Sequence, residues 1–200
     1  MPKVSEEHKE IRRQQILMAA MEVFKRKGYE KATLKDIVEE AGMSRGWIYL
    51  YFSDKNEIFR ALLEHLDAEQ KKQLELSNQE NVLEVLKGYF VGIQNSIQVD
   101  DPTLYPAIYE FWITSWRDES VREFFLKRYE KVVATFTALF LQGIESGEIS
   151  PVLSVEEIAK IMMSNMDGIL VHSLAFGTDT IDVSNQVEQL LIRIEQMLKS

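Results

Sequence analysis

The stretch TLKDIVEEAGMSRGWIYLYFSDK, residues 33–55, determines the fold that we predict for the first part of the chain. It contains two short segments of helical character on either side of a turn at Gly42. Thr33, followed by Asp36, is a natural N-cap for the first segment, and Ser44 is one for the second. Short helices joined by a tight turn that contains glycine are typical of a helix-turn-helix, whose second helix presents its N-terminal residues to base edges in DNA.

We expect the second helix to run to about Tyr51. The side chains of this stretch divide into an inner and an outer set. Helical spacing places an apolar group in the seam between the helices: Ile37, Val38, Ala41, Met43, Ile48 and Phe52. The residues left facing outward are Arg45, Gly46, Trp47 and Tyr49.

The rest of the chain carries helical rather than strand patterns. Apolar residues recur at helical spacing, and no convincing β-branched alternation lies between turn signals. Upstream of the helix-turn-helix, a helix that contains Ile16 and Phe24 ends at Gly28 in a left-handed cap. We therefore predict an all-α fold of about nine helices, with an N-terminal three-helix domain and a C-terminal helical domain. The later helices are expected at about 54–77, 80–99, from Pro106 onward, 119–147, 154–176 and 183–199.

The composition limits the class of protein. The 200 residues are 46% hydrophobic and 28% charged, which is ordinary for a globular chain. The sequence has no Cys, so disulfides, thiolate nucleophiles, Cys-based zinc sites and iron–sulfur clusters are excluded. No apolar run approaches the ~20 residues of a membrane span, and residues 1–13 lack the apolar core of a secretory signal. We expect a cytoplasmic protein with no membrane partner, no cofactor and no metal.

The charge of the chain is distributed unevenly, although its net value is −9. Residues 1–60 contain 12 Lys and Arg against 10 Asp and Glu, a net charge of +2, and the rest contain 11 against 22, a net charge of −11. Because the basic excess is small, a phosphate-binding face must depend on where the charges lie.

The helix-turn-helix stretch also carries the signature residues of a known family. In chain order they are Thr33, Ile37, Ala41-Gly42, Ser44, Gly46, Ile48-Tyr49, Tyr51-Phe52 and Lys55. On these residues the chain resembles the DNA-binding domain of the TetR family of bacterial transcriptional regulators, over roughly residues 10–60. Two positions depart from the common pattern, because Trp47 stands where a small residue is usual and Leu50 where Tyr is common. The operator sequence therefore does not follow from the resemblance.

The resemblance implies a helix-turn-helix DNA-binding domain over residues 1–53 and a ligand-sensing and dimerisation domain over residues 54–200. It implies that Arg45 reads guanine and that Trp47 packs on thymine methyls or widens the footprint. Taken singly, Arg45 is equally well a solvated surface charge. The full set of DNA-binding residues implied is Thr33, Ser44, Arg45, Gly46, Trp47, Tyr49, Tyr51 and Lys55.

Contacts to the DNA backbone are implied for a second group of side chains. Thr33 caps its helix and offers its hydroxyl or N–H to a phosphate. Tyr49, Tyr51 and Lys55 hold the backbone, although either tyrosine alone is also compatible with an ordinary half-buried aromatic. Gly46 lets the second helix approach the DNA closely.

In TetR-like proteins the C-terminal domain encloses a pocket for a small-molecule inducer. Most aromatic residues at helical spacing belong to the core, but some are candidates to line such a pocket. Asp167 interrupts an otherwise apolar helix, so it serves either an internal hydrogen bond or recognition of a ligand amine or hydroxyl. Glu110 is a second such carboxylate, which we place on the surface. The candidate ligand-binding residues are Tyr89, Tyr109, Trp112, Trp116, Phe136, Met163, Met166 and Asp167.

The last two helices are expected to form a homodimer through a four-helix bundle, as in the family. The alternative is that their apolar stripe folds back on the chain's own body. The candidate interface residues are Ile161, Ile169, Val187, Leu190, Leu191, Ile194 and Leu198.

These features favour a DNA-binding repressor that leaves a palindromic double-stranded operator when a small apolar or aromatic ligand binds, as in control of drug efflux. The alternatives are an acyl-ligand-responsive regulator of lipid metabolism and a DNA-binding protein controlled by a partner protein. An enzyme is not expected, because His8, His65 and His172 are scattered without metal-ligand spacing and no phosphate-binding loop or nucleophile elbow appears.

Overall fold

The structure is a computed structural model that describes residues 6–76, 81–98 and 103–199. Those residues form nine α-helices and no strand, which confirms the predicted all-α class. Pro106 lies in the first turn of its helix, as predicted. The helices are α1 (Glu6–Lys31), α2 (Leu34–Ala41), α3 (Arg45–Ile48), α4 (Lys55–Leu76), α5 (Val82–Gln98), α6 (Tyr105–Ser115), α7 (Glu119–Glu145), α8 (Val155–Phe176) and α9 (Val183–Leu198).

The helices divide between two compact units. The first consists of Met1–Gln70 with Pro102–Trp116, and the second of Lys71–Asp101 with Arg117–Ser200. Helices α1, α2, α3 and α6 belong to the first unit, α5, α7, α8 and α9 to the second, and α4 contributes to both. The division of function at residues 53 and 54 stays a prediction, because packing alone does not test it.

A cluster of aromatic rings holds the first unit together. The ring of Tyr29 lies 4.9 Å from that of Phe59 on α4 and 4.6 Å from that of Phe111 on α6, measured between ring centroids. Phe24 and Phe59 meet edge to face at 4.7 Å. Phe24, Phe59 and Phe111 are fully buried, so α1, α4 and α6 share one core.

Helix α1 breaks at Gly28, where the sequence places its end, but without the predicted left-handed cap. Gly28 has φ 74° and ψ 175°, so its ψ is extended rather than that of a left-handed helical cap. The helix resumes after this residue and continues to Lys31. The sequence identified the glycine at which the helix breaks. It did not indicate that three more helical residues follow that glycine.

The second unit is organised around α8, which packs against α7 and α9. Ser154 caps α8 with a capping box, because its hydroxyl accepts the N–H of Glu157 while the Glu157 carboxylate accepts the N–H of Ser154. The start of α5 is capped from elsewhere in the unit. The Glu148 carboxylate accepts the backbone N–H groups of Val82 at 2.8 Å and Leu83 at 3.2 Å.

The apolar stripe of α9 is largely covered within the chain itself, and its assignment to the dimer interface stays a prediction. Helix α9 packs against α8 and α5 of the same unit, and four stripe residues are at most 6% exposed. They are Val187, Leu190, Ile194 and Leu198. Ile169 on α8 is likewise buried, and Ile161 and Leu191 are half-buried. The periodicity located the stripe correctly, but one apolar stripe does not distinguish a neighbouring helix from a second copy.

Within the described ranges, no helix has both the length and the apolar character needed to cross a membrane.

Candidate nucleic-acid interface

Helix α2 begins at a complete capping box. The Thr33 hydroxyl oxygen accepts the backbone N–H of Asp36 at 3.2 Å, and the Asp36 carboxylate accepts the backbone N–H of Thr33 at 2.9 Å. The Thr33 hydroxyl also donates to the Asp36 carboxylate at 2.8 Å. This confirms the predicted cap. It also occupies both Thr33 donors that were expected to contact a phosphate, so a phosphate would have to compete with Asp36.

The turn between α2 and α3 depends on Gly42, which adopts the left-handed conformation with φ 62° and ψ 27°. Its N–H donates to the carbonyl of Glu39 at 3.2 Å, and the N–H of Met43 donates to the carbonyl of Val38 at 3.3 Å. These two bonds satisfy the last carbonyls of α2 and turn the chain sharply toward Ser44.

Helix α3 is shorter than expected. Ser44 caps it by accepting the N–H of Trp47, but the α-helix ends at Ile48 rather than near Tyr51. Beyond it, the N–H of Leu50 donates to the carbonyl of Trp47 and that of Tyr51 to Ile48, both three residues back. Tighter turns of this kind are common at helix ends, and the apolar spacing alone does not separate them from a regular helix.

The inner and outer faces of α3 agree with the sequence pattern. Ile48 is fully buried and Phe52 nearly so, and together with the buried Ile37 they join α3 to the core of the first unit. Trp47 is 42% exposed and Tyr49 47% exposed, and Arg45 also lies on the surface. The short helix is therefore fixed from behind and presents large side chains outward.

Arg45 and Tyr49 form a pair on this outer face. The Arg45 guanidinium donates to the Tyr49 hydroxyl at 3.0 Å, and its carbon lies 5.5 Å from the centre of the Tyr49 ring. The pair spans one helical turn and holds the guanidinium over the exposed surface. It leaves other N–H donors of the planar group available for an acceptor, because a guanidinium has five.

Gly46 lies in open space beside this pair. A Cβ atom built there would meet no heavy atom within 4 Å, and its backbone conformation does not require glycine. The fold of the free chain therefore gives no reason for glycine at this position. A surface that approaches α3 closely would give one.

Ion pairs fasten α1 to α2 next to this surface. Arg26 pairs with Glu40 and Lys27 with Asp36, each at 2.7 Å. The hydrogen bond from Lys27 and those from Thr33 lower the pKa of the Asp36 carboxyl from 3.8 to about 2. Four charged groups next to the helix-turn-helix thus form ion pairs with each other.

Lys55 does not point its charge at open solvent. Its ammonium donates to the carbonyl oxygens of Tyr29 at 2.7 Å, Ala32 at 3.0 Å and Glu30 at 3.5 Å, and lies 4.2 Å from the centre of the Tyr29 ring. Burial lowers the pKa of Lys55, and the carboxylates of Glu30 and Glu110 act in the opposite direction. The expected phosphate contact would require this ammonium to leave its carbonyl partners. Tyr51 is half-buried and Ser44 is exposed at the start of α3.

The candidate ligand-binding residues belong to both units. Tyr109, Trp112 and Trp116 lie in the first unit, where Tyr109 is buried and its ring lies 6.1 Å from that of Trp112. In the second unit the Tyr89 ring meets the buried Phe136 edge to face at 4.9 Å. The other members of the second unit are the buried Met166 and the half-buried Met163 and Asp167.

Sequence reasoning named Glu110 as a candidate carboxylate on the surface, but it did not find the backbone contact that Glu110 makes beside this interface. The Glu110 carboxylate accepts the backbone N–H of Glu30 at 3.1 Å and lies against Gly28. Because 80 residues separate the partners, no local pattern identifies the pair. In the described part of the chain, no group of three or more His, Cys, Asp or Glu is placed to hold a metal ion.

Two family models match the chain. The model described as bacterial regulatory proteins, tetR family, matches residues 16–62, which include the helix-turn-helix. The model described as the tetracyclin repressor-like C-terminal domain matches residues 85–184.

Individual relatives extend the match over the whole length. The HTH-type transcriptional regulator YfiR of Bacillus subtilis is 38% identical over 200 residues, which is 100% of this chain and 98% of that protein. The HTH-type transcriptional regulator QacR of Staphylococcus aureus is 27% identical over 161 residues, 79% of this chain and 84% of its own. The crystal structure of the transcriptional regulator FadR from Bacillus subtilis in complex with stearoyl-CoA covers 90% of this chain and 96% of its own, with a TM-score of 0.68 and 22% identity. At that identity the structural likeness supports the fold alone.

Proposed function

Since the chain belongs to the TetR family of bacterial transcriptional regulators, we propose that it is a repressor that binds a palindromic operator and releases it when a small molecule binds. The observation that carries the DNA-binding part is the outer face of α3. Arg45, Trp47 and Tyr49 stand exposed on a helix whose other side is anchored in a buried core. Such a rigid support is what base recognition by a short helix requires.

We assign the reading of bases to Arg45 and Trp47. The Arg45 guanidinium, steadied by Tyr49, suits the paired acceptors of a guanine edge in the major groove. The exposed Trp47 ring suits the methyl group of thymine. Gly46 between them supports the proposal, because its open surroundings let the backbone of α3 come close to the groove.

The test is binding to DNA selected by the wild-type protein from a random-sequence pool and to the DNA upstream of its own gene, over a range of salt concentrations. We expect tight binding to a selected duplex that resists competitor DNA and weakens steeply with salt. Arg45→Ala should reduce the preference for the selected duplex over a scrambled one by about fivefold or more, since a bidentate base contact contributes ~1–3 kcal/mol.

Lys35→Ala is the matched control for this variant. It removes one positive charge from the exposed surface of α2 and should weaken binding to both duplexes alike. A wild-type protein that selects no sequence and binds every duplex equally would refute the proposal.

For the inducer we propose a flat aromatic or cationic compound, as in control of drug efflux. The aromatic side chains Tyr89 and Phe136 of the second unit support it, because rings recognise such compounds by stacking and by cation–π contacts. An acyl ligand is the second candidate, supported by the fold shared with FadR, whose crystal structure contains stearoyl-CoA. Titrating the protein–DNA complex with rhodamine 6G and, separately, with stearoyl-CoA distinguishes the two. A regulator controlled by a partner protein would respond to neither.

We also propose that the chain acts as a homodimer that uses a different surface from the buried α9 stripe. Val171, Leu174 and Phe176 on α8 and Ile192 on α9 are large apolar residues left exposed on a single chain. Covering them with the same helices of a second copy would give a twofold assembly. Two copies of α3 would then meet half-sites about 34–36 Å apart, or a multiple of that spacing.

A further inference from the structure

Four residues follow the break in α1, and we call them the exit segment (residues 29–32). They lead from Gly28 through the last residues of α1 to Thr33, the cap of α2. Their position gives them control over where the helix-turn-helix starts. The φ and ψ angles of Gly28 are not helical. Since the first N–H groups after such a break lack carbonyl partners within the helix, they are available to other acceptors.

One of these N–H groups is bound by a side chain from α6. The Glu110 carboxylate accepts the Glu30 N–H at 3.1 Å. Gly28 is what allows this approach, because a Cβ atom at that position would lie 2.7 Å and 2.8 Å from the two Glu110 carboxylate oxygens. The glycine therefore serves both the positive φ of the break and the close approach of an acceptor.

The carbonyl side of the same segment is bound from α4. Lys55 donates to the carbonyl oxygens of Tyr29 and Ala32, and more distantly to that of Glu30. The exit segment is thus hydrogen-bonded through one N–H group by a carboxylate and through its C=O groups by an ammonium. The N–H donor thus has a negatively charged acceptor, and the C=O acceptors have a positively charged donor.

Ring packing joins the same three helices. The side chain of Tyr29 lies between Phe59 of α4 and Phe111 of α6, and Phe111 is the neighbour of Glu110 in the chain. The Tyr29 hydroxyl donates to the side-chain oxygen of Asn56, also on α4. A displacement of α6 along or away from α1 would act on the exit segment through both Glu110 and Phe111.

We propose that Glu110 is a positioning residue for DNA recognition: its carboxylate holds the exit segment in place and so fixes the orientation of α2 and α3. The inference rests on the proposed DNA-binding function. It assigns to Glu110 a role that needs no contact with DNA. Loosening this contact leaves the recognition side chains intact but lets the face that carries them adopt several orientations, which lowers affinity for the selected sequence more than for other DNA.

The experiment uses the full chain with Glu110→Ala, Glu110→Gln and the control Glu64→Ala. Glu64 is an exposed carboxylate in the same compact unit, so its removal reproduces the change in net charge. Two quantities are measured for each variant. The first is the amide hydrogen-exchange rate of Glu30 in the free protein, and the second is the ratio of affinities for the selected duplex and a scrambled duplex of equal length.

For Glu110→Ala we expect faster exchange at Glu30 and a fall of about three- to tenfold in the affinity ratio, the range that corresponds to the net contribution of one typical hydrogen bond. Glu110→Gln should recover much of the ratio, because its amide oxygen reaches the same N–H. Glu64→Ala should leave both quantities at their wild-type values.

The inference is overturned if Glu110→Ala behaves like Glu64→Ala in both measurements. If the alanine variant does not fold, Glu110→Asp replaces it, since it keeps the charge but withdraws the carboxylate by one methylene. Glu110→Asp is then expected to lower the affinity ratio more than Glu110→Gln does. A larger fall for Glu110→Gln than for Glu110→Asp overturns the inference. Failure of the wild-type protein to select any duplex refutes the proposed function instead, and the exchange rate at Glu30 then decides whether Glu110 holds the exit segment.

Discussion

Replacing Gly28 with alanine tests the most constrained point of the first compact unit. Its φ of 74° and ψ of 175° lie in a region that is almost exclusive to glycine, and a side chain there costs about 1–3 kcal/mol. The new Cβ would also stand 2.7 Å from a Glu110 carboxylate oxygen, so the carboxylate must withdraw from the Glu30 N–H. Losing that hydrogen bond costs about 1–2 kcal/mol. Alanine restricts the unfolded chain, which returns about 0.5–1 kcal/mol. We expect a net loss of about 1–4.5 kcal/mol in the free energy of unfolding.

Urea denaturation followed by far-UV circular dichroism measures this loss. Gly88→Ala is the matched control, because Gly88 lies within helix α5 and a Cβ there would meet nothing within 4 Å. That control should gain up to about 1 kcal/mol from helix propensity alone. The double variant Gly28→Ala/Glu110→Ala separates the two costs. With the carboxylate gone, Gly28→Ala no longer breaks the Glu30 hydrogen bond, so its cost should fall by about 1–2 kcal/mol and leave the cost of the backbone conformation.

Two results would refute this reasoning. If Gly28→Ala is as stable as the wild type, the backbone conformation at the break does not require glycine. If Gly28→Ala costs the same with and without Glu110, the two residues do not share the close contact from which the estimate is worked out.

Three further outcomes follow from other contacts. Hydrogen bonds from Lys27 and Thr33 lower the pKa of Asp36 to about 2 in the folded state, so its stabilising contribution is present above about pH 4 and is lost as the pH falls toward 2. Thermal melting should therefore show the wild type losing its advantage over Asp36→Asn across that interval, and parallel curves would contradict this. Glu148→Ala removes the acceptor for two N–H groups at the start of α5 and should lower the free energy of unfolding by about 1–2 kcal/mol in urea titrations, whereas an unchanged midpoint would exclude this capping role. Leu174→Asp should give a folded monomer in sedimentation velocity, while Leu190→Ala should keep the dimer but lose about 2–4 kcal/mol of stability; the opposite pattern would return the interface to the α9 stripe.

Local patterns predicted the parts of this molecule that depend on neighbours in sequence. The caps at Thr33 and Ser44 and the turn at Gly42 each depend on a few adjacent residues, and the structure has all of them. The outer and inner faces of α3 follow from helical periodicity in the same way.

Features that depend on distant partners were beyond the reach of the sequence. Lys55 was expected to meet phosphate because of its place in the motif, yet it binds carbonyl groups 23 to 26 residues earlier in the chain. Glu110 was expected on the surface and lies half-buried there, but its hydrogen bond to the Glu30 N–H just beyond the break in α1 was not predicted. The stripe of α9 was correctly identified as apolar, and only the packing shows that α5 and α8 of the same chain cover it.

The positions of the tryptophans make the intrinsic fluorescence of the protein specific to one of its two units. The sequence contains three tryptophans, Trp47, Trp112 and Trp116, and all three belong to the first compact unit and are substantially exposed. Intrinsic tryptophan emission therefore comes from that unit alone, and the second unit contributes none. Trp47 lies on the face that we propose binds DNA, whereas the other two lie at one end of α6. A Trp47→Phe variant would leave emission that follows α6 only, so the response to a ligand and the response to DNA become two separable signals from an unlabelled protein.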